Sequence, residues 1–255
     1  MKITRAVVPS LFTVLNMFCG FGAIIHTAQG DYILASWFII LAALFDAFDG
    51  VMARITKSSS DFGVEFDSLS DVISFGVAPS FLVYRLQLHT LEGPGMLLSA
   101  MPMVFGALRL ARFNSQLVSY DKDYFKGLPI PAMAVMIASF VMSFYHEGTN
   151  LNALETSLLV PMIIILSLLM VSSMKYDAVP KFTARGIKQH PARFTVAIIG
   201  ITAIVITRGG ALFPFFVFYT ATGPLRHLVR VIQNSIHPVT KGLEEKDTEI
   251  TSVDL

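Results

Sequence analysis

Apolar windows of roughly 20 residues recur along the chain, separated by short polar or glycine-containing breaks, which is the pattern of successive membrane-crossing helices. They predict helices over 8–28, 33–55, 68–88, 95–114, 130–146, 153–173, 194–208 and 211–231. Arg208-Gly209-Gly210 leaves almost no loop between the last two, so a re-entrant pair is the alternative there. The predicted fold class is an all-α integral membrane protein, a bundle of about eight transmembrane helices. Residues 1–235 read as one transmembrane domain and 236–255 as a polar tail, expected to be disordered because it carries too few apolar residues to fold alone. The start, Met1-Lys2-Ile3-Thr4-Arg5, is basic then apolar like a signal peptide, but the apolar run from Val7 to Ala28 is too long for one and reads as a retained first helix.

Composition agrees. Of 255 residues 54% are hydrophobic and 15% charged, against roughly 25% charged in soluble domains. A net charge of +1 gives no reason to expect a nucleic-acid partner. Cys19 is the single cysteine, which excludes an intramolecular disulfide. With the N-terminus in the cytoplasm, only Arg85 and Arg208 among the lysines and arginines fall on the far side, as the positive-inside rule requires. The basic stretch from Met174 to Arg193, with Pro180 and Pro191, reads either as a surface helix against anionic lipid or as a solvated loop.

One segment breaks the apolar pattern. Asp46 and Asp49 are three residues apart at the end of the second helix, and Asp67 and Asp71 are four apart at the start of the third. Each spacing stacks two carboxylates on one helical face. KSSSDFG, residues 57–63, is the predicted turn between two antiparallel helices, so the four carboxylates converge on the cytoplasmic side. Four such charges repel one another in a poorly solvated site unless something offsets them. Two divalent cations would do so, and oxygen-only ligation favours magnesium, manganese or calcium over zinc. Gly50 and Ala53 each lie four residues after an aspartate, and Gly63 lies four before Asp67, leaving a floor free of bulky side chains. Arg54 stands at the membrane edge, ready to meet a phosphate.

Asp46-x-x-Asp49-Gly50-x-x-Ala53-Arg54, eight residues, then Gly63-x-x-x-Asp67-x-x-x-Asp71 is similar at every fixed position to the signature of the CDP-alcohol phosphotransferases. These are membrane enzymes that displace CMP from a CDP-linked donor with an acceptor hydroxyl and two divalent metals. Pro9–Phe21, Phe62–Ser80, Gly106–Asn114 and Phe125–Ala132 further resemble the phosphatidylserine-forming branch. The resemblance covers the first 175 residues or so. Ser10 departs from the asparagine that many members carry after the proline.

The resemblance implies transfer of the phosphatidyl group from CDP-diacylglycerol to L-serine. It implies Asp46, Asp49, Asp67 and Asp71 as ligands of two cations, Mg2+ or Mn2+, with Asp71 also the general base. Gly50, Ala53, Arg54 and Gly63 would line the cytidine-nucleotide pocket. Arg109 and Arg112, three apart near the cytoplasmic end of the fourth helix, are candidates for the serine carboxylate, with Lys126 a further one; alternatively the arginines anchor that helix to lipid phosphates. A homodimer in the cytoplasmic (inner) membrane of a prokaryote, active site facing the cytoplasm, is expected. Other acceptors, glycerol 3-phosphate or inositol phosphate, are the nearest rivals. From a different class, a divalent-cation transporter would use the same aspartates, but the apolar windows Phe38–Leu44 and Val77–Val83 offer no polar path across. Asn16 reads as an interhelical hydrogen bond, His26 and His146 as solvated groups at the far interface, Trp37 as lipid-facing, Pro161 as a kink and GLPIP (127–131) as a helix-entry turn.

Overall fold

The computed structural model describes residues 7–56, 61–115, 124–146, 151–177 and 210–236. Helix α1 (Val7–Gln29) and helix α2 (Tyr32–Thr56) form an antiparallel hairpin. Gly30 joins them at φ 89°, with Gly30 N–H donating to the Thr27 carbonyl and Asp31 N–H to that of His26. That pair of bonds is a Schellman cap, and the left-handed backbone it needs favours glycine. Gly22 lets the Phe38 ring lie against α1, while Phe12 packs on Phe45 and Phe48 nearer the C-terminal end of α2.

The third crossing is a composite rod: α3 (Asp61–Asp71), a π-helical turn (Val72–Val77) and α4 (Ala78–Leu86). It begins earlier than the predicted 68–88, because Asp61-Phe62-Gly63 forms the first helical turn rather than the tail of the loop. An aspartate at a helix start is favoured by the macrodipole, and Phe62 stacks on Phe66 one turn on, ring centroids 5.9 Å apart. The π turn has a local cause. Pro79 lacks the N–H that would reach the Phe75 carbonyl, and its ring would crowd that oxygen in an α-helix. The wider turn, in which Ala78 N–H donates to the Ile73 carbonyl five residues back, absorbs the break.

A single 3-10 turn (Leu88–Leu91) leads into α5 (Glu92–Ser115). Beyond it come strand β1 (Tyr124–Lys126), α6 (Ile130–Phe144), α7 (Ala153–Val171), strand β2 (Lys175–Asp177) and α8 (Leu212–Ile236). The two three-residue strands pair antiparallel, Phe125 opposite Tyr176, a small addition to an otherwise helical bundle. GLPIP is a helix-entry turn: Gly127 at φ 79° lies against the Met170 carbonyl, Leu128 N–H donates to Leu169, and proline occupies the first turn of α6. An Asn152–Glu155 capping box starts α7.

Helix α6 is the centre. Ile130 and Ala132–Val141 are buried on every side, against residues such as Phe75, Leu82, Ile39 and Ile163 of the surrounding helices. At a rise of about 1.5 Å per residue its 15 residues reach about 22 Å, short of the roughly 30 Å hydrocarbon core. Protein rather than lipid therefore surrounds it. The outer helices expose Phe18, Phe21, Trp37, Leu97 and Leu168, the apolar coat of a chain solvated by lipid. Among the described residues five stretches are long and apolar enough to cross a membrane: Leu11–Gln29, Tyr32–Met52, Phe62–Leu86, Leu88–Ser115 and Ala153–Val171. The protein is thus an all-α integral membrane protein, and the predicted helix 194–208 and the tail lie outside the described residues. Helix α8 docks on α6 through Phe213, which meets Phe140 and Phe144, and on β2 through Tyr176. The Tyr176 hydroxyl donates to the Thr220 carbonyl at 3.1 Å above Gly223, and burial, with Tyr219 alongside, holds it above the ordinary phenol range.

Candidate active site

Helices α2 and α3 both pack on α1, and their aspartates come together as the spacing predicts; residues 57–60 of the predicted turn lie outside the described residues. Carboxylate oxygens of Asp46, Asp67 and Asp71 lie within 4.8 Å of one another. Asp49 stands at the edge of this group, near enough to Asp46 and Asp67 for their charges to repel. Its side chain is turned by Thr13 of α1, whose hydroxyl donates to Asp49 Oδ2 at 2.6 Å. Asp71 receives a hydrogen bond at 3.2 Å from Asn16 Nδ2, also on α1. Helix α1 is in turn tied to α3 and the π turn through its backbone. Ser70 Oγ donates to the Thr13 carbonyl at 3.1 Å and Ser74 Oγ to that of Asn16 at 2.9 Å. At Gly20 the helices touch: a Cβ there would stand 2.7 Å from Ser74 Cα.

Two of the carboxylate oxygens, Asp49 Oδ1 and Asp67 Oδ1, are buried without a hydrogen-bond partner. A buried anionic oxygen without a donor is costly, and clustering three or four of them is unfavourable unless a cation compensates. Oxygen donors with neither histidine nor cysteine suit a hard divalent ion. The residues present therefore fit such a metal, and Asp46, Asp67 and Asp71 form a group that could hold one.

Around the cluster the other predicted residues divide. Gly50 is exposed, with open space where a side chain would begin, and Gly63 is half-buried on α3. Ala53 and Arg54 continue α2, and their side chains lie outside the described residues. Arg109 of α5 is half-buried, and its charge acts attractively on Asp71. Arg112 is instead exposed and donates from Nη1 to the Val171 carbonyl at 3.2 Å, closing the C-terminal end of α7. Lys126 is exposed on β1, in register with Lys175. His146 is exposed, whereas His26 is half-buried and stacked on Phe38, 3.7 Å from Asp31. Sequence reasoning missed Thr13, and it missed that Asn16 bonds to a site aspartate. The signal was present: Thr13, Asn16 and Gly20 form a polar and small stripe on an apolar helix, at the spacing of one face. It also missed Asn114, whose Nδ2 reaches Ser68 Oγ at 3.0 Å and Glu65 Oε2 at 3.4 Å, joining the end of α5 to α3.

A lipid-exposed helical bundle with carboxylates gathered near one end of its helices is the frame of an enzyme that works on membrane-borne substrates. Residues 6–172 match the family model for CDP-alcohol phosphatidyltransferases, and the chain belongs to this family. It is 35% identical over 229 residues, 88% of this chain and 92% of the relative, to the CDP-diacylglycerol–serine O-phosphatidyltransferase of Helicobacter pylori. It is 34% identical over 181 residues, 71% of this chain and 96% of the relative, to the enzyme of that name in Bacillus subtilis. The archaetidylserine synthase of Methanothermobacter thermautotrophicus is 38% identical over 187 residues, 70% of this chain and 73% of the relative. The cation-transport reading is set aside by this membership.

Proposed function

We propose that the protein transfers the phosphatidyl group of CDP-diacylglycerol to the hydroxyl of L-serine, forming phosphatidylserine and CMP. The observation that carries the reading is the convergence of Asp46, Asp67 and Asp71, with Asp49 beside them, where the C-terminal part of α2 meets α3. The acceptor is supported by the three relatives, two named for CDP-diacylglycerol and serine and the third for archaetidylserine.

In this reading Asp46, Asp49, Asp67 and Asp71 hold two divalent cations, magnesium or manganese. Bound there, the cations would neutralise the donor pyrophosphate and the charge on departing CMP. In this reading the open surface over Gly50, with Ala53 and Arg54 following it on α2 and Gly63 on α3, admits the cytidine nucleotide. Serine enters with its hydroxyl beside Asp71. Asn16 holds Asp71 Oδ1, and the second Asp71 oxygen accepts the hydroxyl proton as the serine oxygen bonds to the phosphatidyl phosphorus. The bond from that phosphorus to the bridging oxygen breaks, and CMP leaves with the pair. In this reading Arg109 receives the serine carboxylate, supported by its charge acting on Asp71. Arg112 is less suited, because it is engaged at the end of α7. We further propose a homodimer in a prokaryotic cytoplasmic membrane, with this end of the bundle facing the cytoplasm.

The test is incorporation of isotope-labelled acceptor into extracted lipid by the purified protein. Label from L-serine alone is the expected result. Label from glycerol 3-phosphate or inositol phosphate with none from serine would move the acceptor and keep the class.

A further inference from the structure

The carboxylates come from α2 and α3, yet two of them rest on α1, a helix to which the proposed chemistry gives no substrate or metal contact. Thr13 and Asn16, three residues apart on one face of α1, are 3% and 0% exposed. Each spends its donor on one oxygen of a two-oxygen carboxylate: Thr13 Oγ1 on Asp49 Oδ2, Asn16 Nδ2 on Asp71 Oδ1. The amide orientation follows from chemistry, since the reverse would set an amide oxygen against a carboxylate oxygen, two acceptors face to face. The partner oxygen, Asp49 Oδ1, is buried with no hydrogen bond. In each carboxylate α1 thus holds one oxygen and leaves the other unbonded to it.

We propose that Thr13 and Asn16 are positioning residues: Thr13 turns Asp49 so that its Oδ1 joins the Asp46–Asp67–Asp71 group, and Asn16 fixes Asp71 so that its second oxygen meets the acceptor hydroxyl. The inference rests on the two-metal reading above. The competing role, holding α1 to the bundle, is already filled by other contacts. Ser70 and Ser74 bond to the α1 backbone, and Gly20 packs against Ser74, none of which needs the Thr13 hydroxyl. The two bonds therefore have separable consequences. Loss of the Thr13 donor frees Asp49 to rotate and weakens cation binding, whereas loss of the Asn16 donor misaligns the proton acceptor.

The experiment is a Mn2+ titration of the full-length protein in detergent, without substrates, followed by electron paramagnetic resonance. Wild type is compared with Thr13→Val, which keeps the shape and removes the donor, and with Thr13→Ser, which restores it. Outer hydrogen-bond partners of metal ligands are worth about 10- to 100-fold in affinity, so Thr13→Val should weaken Mn2+ binding by at least about tenfold. Thr13→Ser should bind as wild type, and the metal-free thermal midpoints of all three should agree. Wild-type affinity in Thr13→Val would overturn the proposal and leave the two-metal reading standing; absence of Mn2+ binding by the wild type would overturn both. If Thr13→Val does not fold, Asn16→Leu decides: kcat reduced about tenfold or more with the KM for CDP-diacylglycerol unchanged is expected, and an unchanged kcat overturns the proposal.

Discussion

At the residue scale, the reach of each carboxylate and each arginine decides its role. Asp67 has a buried oxygen without a hydrogen bond and lies near enough to Asp46, Asp49 and Asp71 for their charges to repel. Replacing it by asparagine keeps the shape and removes one charge from the proposed ligand set. Asp67→Asn is expected to reduce CMP release at least about 100-fold, measured at saturating magnesium, since a metal's charge stabilisation is worth several kcal/mol. Asp71→Asn should lower kcat by about 100- to 10,000-fold, the usual worth of a general base, with little change in the KM for CDP-diacylglycerol. Wild-type kinetics in either variant would count against the assigned roles. The arginines make opposite predictions. Arg109→Ala should raise the KM for serine and leave donor binding alone. Arg112→Ala removes a surface cap on α7 and should lower stability by about 0.5–1 kcal/mol with the serine KM retained, read by thermal unfolding beside steady-state kinetics.

Among the elements, the close pass of α1 over the π turn is the joint that sets the site. Ser74 is buried at this crossing, and no room remains for a side chain at Gly20. Gly20→Leu would drive backbone from backbone, so it should cost about 1–3 kcal/mol of stability, as overpacking does, and remove most activity by carrying Thr13 and Asn16 away from the aspartates. Unfolding in denaturant and CMP release on one preparation check both halves. This joint also marks where the sequence stopped being readable. Hydropathy locates the described helices to within a few residues, except the start of α3 and the end of α8, which runs to Ile236 rather than 231, and the i, i+3 and i, i+4 spacings put the aspartates on shared faces because helical geometry is local. Which side chains of α1 meet Asp49 and Asp71 is a question of helix packing between residues 36 and 55 positions apart, and periodicity carries no such distance. The π turn was hidden for a related reason: Pro79 announces a broken hydrogen bond but not how the chain repairs it. Strands β1 and β2, three residues each, are too short for alternation to register.

On the scale of the whole molecule, a buried central helix lets the surrounding ones face lipid while α2 and α3 gather the aspartates. The C-terminal end of α5, near the aspartates, and its N-terminal end should open to opposite sides of the membrane. Cys19 is the chain's single cysteine and is 3% exposed, so introduced cysteines can be read against a quiet background. In sealed right-side-out vesicles a membrane-impermeant maleimide should label Gly93→Cys and spare Ser115→Cys until the membrane is opened. The reverse pattern would invert the proposed orientation and leave the chemistry untouched. The central claim, that gathered aspartates use divalent metal to pass a phosphatidyl group to serine, is met most directly by one measurement: CMP released from CDP-diacylglycerol by the detergent-purified protein. The account predicts release that requires both L-serine and magnesium or manganese, stops with a chelator and returns when the metal is restored. Serine-dependent release that persists at full rate in the chelator, or no release with serine and metal both present, would contradict it.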